Sequence, residues 1–391
     1  MEKSPYFERV NRLNVFVNFV AGHFLPLNDD DKKLGYFNSL WLMFAWAIKI
    51  VYLLTAALGT LHFADLTVDQ AFKKSGAITV LSIEILVPLF YLNFRRQDLR
   101  NLIAKYNLIL IDSDELRHVV RHTVKHYNKG LKFYLIVGLV AAFFFPAAPI
   151  FQILQSEHFT YADFTVPAYL PGEPFGRGVF AVGVVIQVFG GCAIHVGAIG
   201  IYLYVIHYIA ILVGQYKYVR IQFAKALSEK DGLKDEISVI TALHKCIEHH
   251  SAVIKVGQTL IEILALYIGT TYITCIMEFC FLTYGVMTFE NAVIEKFTYV
   301  AYIFCRILLI FMLCSSIQEL VDASTSVTDD AFHENWYTRS KAVQRTFYII
   351  QLSNQMECRI SAYRIVDLVV PTLALILSKS YSVCLLLLNV K

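Results

Sequence analysis

Charge is scarce in this chain. Asp, Glu, Lys and Arg make up 17% of its 391 residues, against 57% hydrophobic ones. A soluble domain carries about a quarter charged residues on average, so a soluble fold of this length is excluded. Basic runs interleaved with aromatics are lacking too, which removes a nucleic-acid footprint and any expectation of nucleic acid as a partner. No Asn-x-Ser/Thr sequon occurs, and with it goes the usual glycosylation handle. The first 38 residues hold Glu2, Lys3, Glu8, Arg9, Arg12 and the run "DDDKK", with no clean apolar stretch before a cleavage site; no signal peptide is expected. No nucleophile–base constellation stands out, so neither an enzyme nor a cofactor is expected. His244, His249 and His250 come nearest to a metal set, without a carboxylate at matching spacing. Internal repeats are absent, which argues against an inverted-repeat transporter. The eight cysteines fall in apolar segments or basic loops, where thiols are expected to stay reduced.

Long apolar runs are what the chain does have. A membrane crossing takes roughly 20 mostly apolar residues, and that window finds seven: 39–62, 76–94, 133–155, 178–213, 256–286, 297–318 and 367–390. The fold class is therefore an all-α polytopic membrane protein with seven transmembrane helices. The fourth and fifth runs exceed what a crossing needs, so they tilt or continue into water. Basic residues mark the cytoplasmic side. Lys and Arg number five in residues 1–38, nine in 95–132, seven in 214–255 and five in 319–366. The other connections, 63–75, 156–177 and 287–296, hold two, one and one. This places the amino terminus in the cytosol and the carboxyl terminus outside. A metabotropic seven-helix receptor has the opposite orientation. The Asp/Glu-Arg-Tyr and Asn-Pro-x-x-Tyr signatures of that class are missing here as well.

The cytosolic connections keep apolar residues at helical spacing, as in Leu99, Leu102, Ile103 and Tyr106, or Phe347, Ile350, Gln351 and Asn354. Helices with one apolar stripe outside the bilayer pack on each other, so a cytosolic helical anchor layer is expected, suited to subunit contacts. The organisation expected is a cytosolic segment at 1–38, six transmembrane helices with long cytosolic extensions at 39–318, an anchor segment at 319–366 and the seventh helix at 367–391. Glu84, Glu262, Glu278 and Arg306 fall inside spans, where charges face the bundle interior or water; Glu278 and Arg306 sit on sequential helices and can pair. Pro88, Pro146 and Pro149 are expected to kink helices two and three.

Several stretches resemble the insect odorant receptor family. "LHKCIEHHSAVIKVGQTLIEIL" (243–264) is similar to the segment leading into its fifth helix. "IQEL" (317–320) followed by "AFHENWY" (331–337) resembles its Glu-Leu, Ala-x-Tyr-x-x-x-Trp run, with Phe332 in place of the Tyr. "QRTFYIIQLSNQ" (344–355) looks like the amphipathic helix before the final span. "VPTLALILSKSYSVCLLLLNVK" (370–391) is similar to the terminal helix, and the "AYLPGEPFG" turn (168–176) also suits the family. The resemblance is strongest over 243–391 and extends back to about residue 15. The Thr-Tyr…Gln-Phe ending of gustatory receptors is absent, as is the long insertion of the co-receptor before helix five. The resemblance thus implies a ligand-tuning subunit of a ligand-gated non-selective cation channel. It also implies a heterotetramer with the co-receptor, lined by the seventh helix, in the plasma membrane of a sensory neuron dendrite. A gustatory-type channel is the nearest alternative.

The final span carries polar residues that a lipid anchor would avoid. Lys379, Ser382, Leu386, Asn389 and Val390 recur at steps of three and four, on one helical face. Ser382 and Asn389 can solvate a passing cation, while Leu386 and Val390 can close the path by dewetting; by the resemblance, Leu386, Asn389 and Val390 sit at the gate and outer pore. Lys379 departs from the pattern, since a positive charge repels cations; it calls for a wide inner vestibule or a low conductance. The competing reading is a packed helix whose Ser hydroxyls bond back to its own carbonyls. A small volatile odorant needs a buried apolar pocket with aromatic walls and a few polar groups. The outward halves of helices two, three, four and six supply the candidates: Ile78 and Leu81; Phe144, Phe145 and Phe151; Val184, Gln187 and Val188; and Tyr299, Tyr302 and Ile303. Membrane lipid and permeating cations complete the expected partners.

Overall fold

A computed structural model describes residues 6–23, 25–28, 36–66, 68–111, 113–144, 150, 153, 157–164, 173–228, 236–288, 293–353, 357–363 and 365–389. Helices carry nearly all of it. The short α1 (Tyr6–Val10) and α2 (Arg12–Val20) precede α3 (Tyr36–Leu66), α4 (Val68–Phe94), α5 (Arg96–Ile111) and α6 (Asp114–Phe144). Then come α7 (Arg177–Leu227), α8 (Glu236–Thr288), α9 (Val293–Thr325), α10 (Asp329–Phe332), α11 (Lys341–Ser353) and α12 (Val370–Asn389). Two small antiparallel ribbons pair β1 (His158–Phe159) with β2 (Phe175–Gly176), and β3 (Ser361–Ala362) with β4 (Val366–Asp367).

Among the described residues, six helical stretches are long and apolar enough to cross a membrane: 36–59, 76–94, 177–227, 236–288, 296–332 and 370–389. The expected third span, 133–155, begins in α6, which is helical up to Phe144. Phe145, Pro146, Pro149 and Phe151 lie outside the described residues. Pro88 sits inside α4 without ending it; lacking an N–H, it leaves the carbonyl of Glu84 without its helical donor.

α7 is the centre of the bundle. It is apolar all round, and helices of that kind are buried on every side. Of its most apolar window 94% is buried, against 17% for α12. Its 51 residues span about 75 Å at 1.5 Å per residue, more than twice the hydrocarbon core. The excess, like that of the 53-residue α8, emerges on the cytosolic side. α6 lies along α7. A Cβ on Gly214 would fall 2.9 Å from the Cα of Val120, so only glycine lets these backbones meet. The imidazole of His207 engages Asn128 Oδ1 at 2.8 Å and the Leu203 carbonyl at 2.6 Å, closing the same seam with a polar contact.

Below the spans, the helices form a layer with its own core. α5 buries Leu99, Leu102, Ile103 and Tyr106, the stripe read from the sequence, and packs on α8. α11 buries Val343, Phe347 and Ile350, and Trp336 lies 5.0 Å from the Phe347 ring. Lys217 pairs with Glu319 at 2.6 Å, and Arg220 with Asp330. His250 packs edge-on between Tyr216 and Phe223; among the described residues no group of three or more His, Cys, Asp or Glu could hold a metal. The cysteines are free. Burial pushes the Cys358 thiol up to about 11, so it remains protonated at neutral pH.

Candidate functional site: the transmembrane charge cluster and the last helix

Three charged side chains meet in the middle of the bundle. Arg306 on α9 reaches Glu84 on α4 and Glu278 on α8, each at 2.6 Å, and all three are almost wholly buried. A charge in the bilayer interior is costly unless paired and hydrogen-bonded. Here Tyr202 on α7 donates to Glu84 at 2.5 Å, and Tyr302 on α9 donates to Glu278 at 3.2 Å. The guanidinium also lies 5.9 Å from the centre of the Tyr202 ring. Four helices are thereby tied by one polar knot. The Glu278–Arg306 pair was visible in the sequence. Glu84 and Tyr202 as further members were not, although an acid inside a span was a signal for the first.

The candidate ligand residues surround this knot unevenly. Leu81 is buried in the main core, and Ile78, Tyr302 and Ile303 pack against it. The ring of Tyr302 lies 6.5 Å from that of His195 on α7. Tyr299, one turn along α9, lies against Gly285 of α8, where a Cβ would come within 2.8 Å of its ring. Gln187 and Val184 are buried on α7. Val184 and Val188 pack elsewhere, in an outer aromatic cluster with Phe159, Tyr161, Phe164, Phe175 and Phe180. There Phe159 stacks on Phe180 at 4.1 Å. The structure therefore separates Val184 and Val188, in the outer aromatic cluster, from Ile78, Leu81, Tyr302 and Ile303, which belong to the main core that runs the length of the bundle. Phe144 closes the described part of α6, and Phe145 and Phe151 fall outside it.

α12 buries one face only. Ile376, Ser380 and Cys384 point into the bundle, and Ser380 bonds back to the Ile376 carbonyl at 2.6 Å. Lys379, Ser382, Leu386 and Asn389 are all exposed, Leu386 to 63%; Val390 lies outside the described residues. The Lys379 amine is drawn sideways: it donates to the Tyr272 hydroxyl on α8 at 2.9 Å and sits 5.5 Å from that ring centre. No sequence pattern announces Tyr272. Ser382 bonds back to the Ser378 carbonyl at 3.0 Å, so a hydroxyl can be locally satisfied and still line an open face.

Fold and site define a polytopic α-helical membrane protein with a polar knot in its bundle and a half-bare terminal helix. Residues 70–381 match the family described as 7tm Odorant receptor, and the chain belongs to that family. Odorant receptor 67a of Drosophila melanogaster is 23% identical over 158 residues, 40% of this chain and 38% of that protein. A second fly protein, provisionally named odorant receptor 85d, is 22% identical over 139 residues, 36% of this chain and 34% of its own length. The matches thus span well under half the length of these relatives. The insect olfactory receptor OR5 from Machilis hrabei has a similar fold, solved with eugenol and without it. The TM-score is 0.78 in both cases, at 14% and 15% identity, over 98% of each chain.

Proposed function

We propose that the chain is the ligand-tuning subunit of an odorant-gated, non-selective cation channel in the plasma membrane of a sensory neuron dendrite. It assembles with a co-receptor into a tetramer around one pore. The observation that carries this is the bare face of α12. A helix whose exposed stripe holds Lys379, Ser382 and Asn389 is poorly placed against lipid, where polar groups are costly; water in a shared conduit satisfies them. The likeness to OR5, described in complex with eugenol, supports a small molecule as the ligand class. The ligand seats among Ile78, Leu81, Tyr299, Tyr302, Ile303 and Gln187, beside the polar knot, and opens the pore only in so far as it prefers the open arrangement. Tyr302 bonds to α8 through Glu278, and α8 holds Lys379 of α12 through Tyr272. One helix thus touches both the ligand region and the pore helix.

Cysteine substitution tests the pore face in cells expressing the chain with its co-receptor. A charged, water-soluble thiol reagent should block odorant-evoked current in Ser382→Cys and Leu386→Cys, and spare Ser380→Cys on the inward face. Block of all three alike, or of none, would remove the assignment.

A further inference from the structure

At the cytosolic end of the bundle lies a cleft of about 1060 Å³ that neither the pocket nor the pore uses, formed where α1 and α2 meet α6. Its lining is polarised. Arg9 and Arg12 stand at one end beside Glu8, with Arg121 of α6; Val15, Phe16 and Phe19 follow as α2 climbs. Arg9 and Arg121 also line an adjoining cleft with Tyr6, Asp114, Arg117 and His118; Asp114 pairs there with Arg117, and the basic end continues into a surface where basic side chains outnumber acidic ones. The apolar end is fixed in height: the Trp41 indole donates to the Phe19 carbonyl at 2.9 Å, which sets Phe19 beside the first turns of α3, the first span. Phe16 and Phe19 are 64% and 43% exposed. Aromatics of this kind belong at the boundary between headgroups and acyl chains.

The walls are held rigidly. Asn18 donates to the Gly200 carbonyl of α7 at 3.1 Å, the Phe7 amide to Asn107 Oδ1 at 3.0 Å, and the Tyr6 hydroxyl to the Arg117 carbonyl at 2.9 Å. Arginine forks match phosphate oxygens, and the inner leaflet is the anionic one. A soluble phosphate compound would use the arginines and leave the two phenylalanines in water. An anionic phospholipid uses both ends. We infer that this cleft holds an anionic phospholipid of the inner leaflet, its headgroup on Arg9, Arg12 and Arg121 and the start of its acyl chains over Val15, Phe16 and Phe19.

Native mass spectrometry of the full chain, purified in detergent and offered equimolar phosphatidylserine and phosphatidylcholine, tests this. The wild type should retain phosphatidylserine preferentially. The Arg12→Gln/Arg121→Gln variant should lose that preference by on the order of 10-fold or more, at roughly 1 kcal/mol per basic residue at the membrane surface. The Lys341→Gln/Arg345→Gln variant, which removes equal charge from exposed positions of α11, should keep it. Glycerophosphoserine, the headgroup without chains, should fail to compete. Equal retention of the two lipids by the wild type would overturn the inference without calling on any variant. So would an equal loss in both charge variants, which means diffuse attraction, or efficient competition by the bare headgroup, which means a soluble phosphate ligand. The channel reading stands or falls separately.

Discussion

Arg306 is the residue on which most of the bundle converges. It neutralises two acids from two other helices, and removing it leaves both buried with a single sign of charge. Breaking a buried pair in this way costs about 3–5 kcal/mol, so Arg306→Ala should sharply lower the melting temperature of the solubilised receptor in a thermal-shift assay. The triple variant Glu84→Gln/Glu278→Gln/Arg306→Gln, which removes every charge of the knot, should recover most of the loss. Tyr302 has two separable parts, a ring packed against the main core in the proposed ligand site and a hydroxyl on Glu278. Tyr302→Ala should move the odorant concentration–response curve to higher concentration, and Tyr302→Phe should move it less. The Glu278–Arg306 contact was legible because its partners sit on consecutive spans. Glu84 lies 222 residues from Arg306, and no periodicity reports a meeting at that separation. Val184 and Val188 show the same limit. Their helix and depth were readable, but the ribbon of β1 and β2 that covers them depends on a loop closing back on α7.

At the scale of the element, hydropathy located six of the seven expected spans among the described residues, because a crossing helix must be apolar for its whole length; the third, 133–155, is described only as far as Phe144 in α6. Hydropathy placed the ends of the spans poorly. The run expected at 178–213 continues to Leu227, and the one at 256–286 starts at Glu236; outside the bilayer a helix needs only one apolar stripe, which a hydropathy window averages away. The contact of α6 with α7 is equally silent in a pattern reading, since it turns on the absence of a side chain. Gly214→Ala should cost about 1–3 kcal/mol by overpacking, read as a lower melting temperature, because the neighbour at that point is the backbone of Val120 and cannot rotate aside. In α12, Leu386→Ala should raise basal current in the absence of odorant, as it shortens the most exposed large apolar side chain of the helix. Lys379→Gln should increase single-channel conductance by removing a positive charge from beside the cation path. A conductance that does not change would place that amine wholly within the Tyr272 contact.

For the whole molecule, the charge asymmetry of the loops and the burial of α7 set one architecture: a central rod, a ring of partners and a terminal helix left half bare. That bareness is a property of the single chain, and assembly is the proposed remedy. Purified with its co-receptor, the receptor should run as a particle close to four times the 44.5 kDa of one chain, with its amino terminus protected from reagents applied to intact cells. A single-chain mass would contradict the pore. The length of α7 and α8 carries a further consequence. Each is a stiff beam anchored at its outer end in the transmembrane bundle, beside the proposed ligand site, and at its inner end in the salt-bridged cytosolic layer. A few degrees of lean at the top becomes several ångströms of sideways travel at the bottom. A binder gripping those inner tips would act as a brake on the receptor from inside the cell, indifferent to which scent is outside.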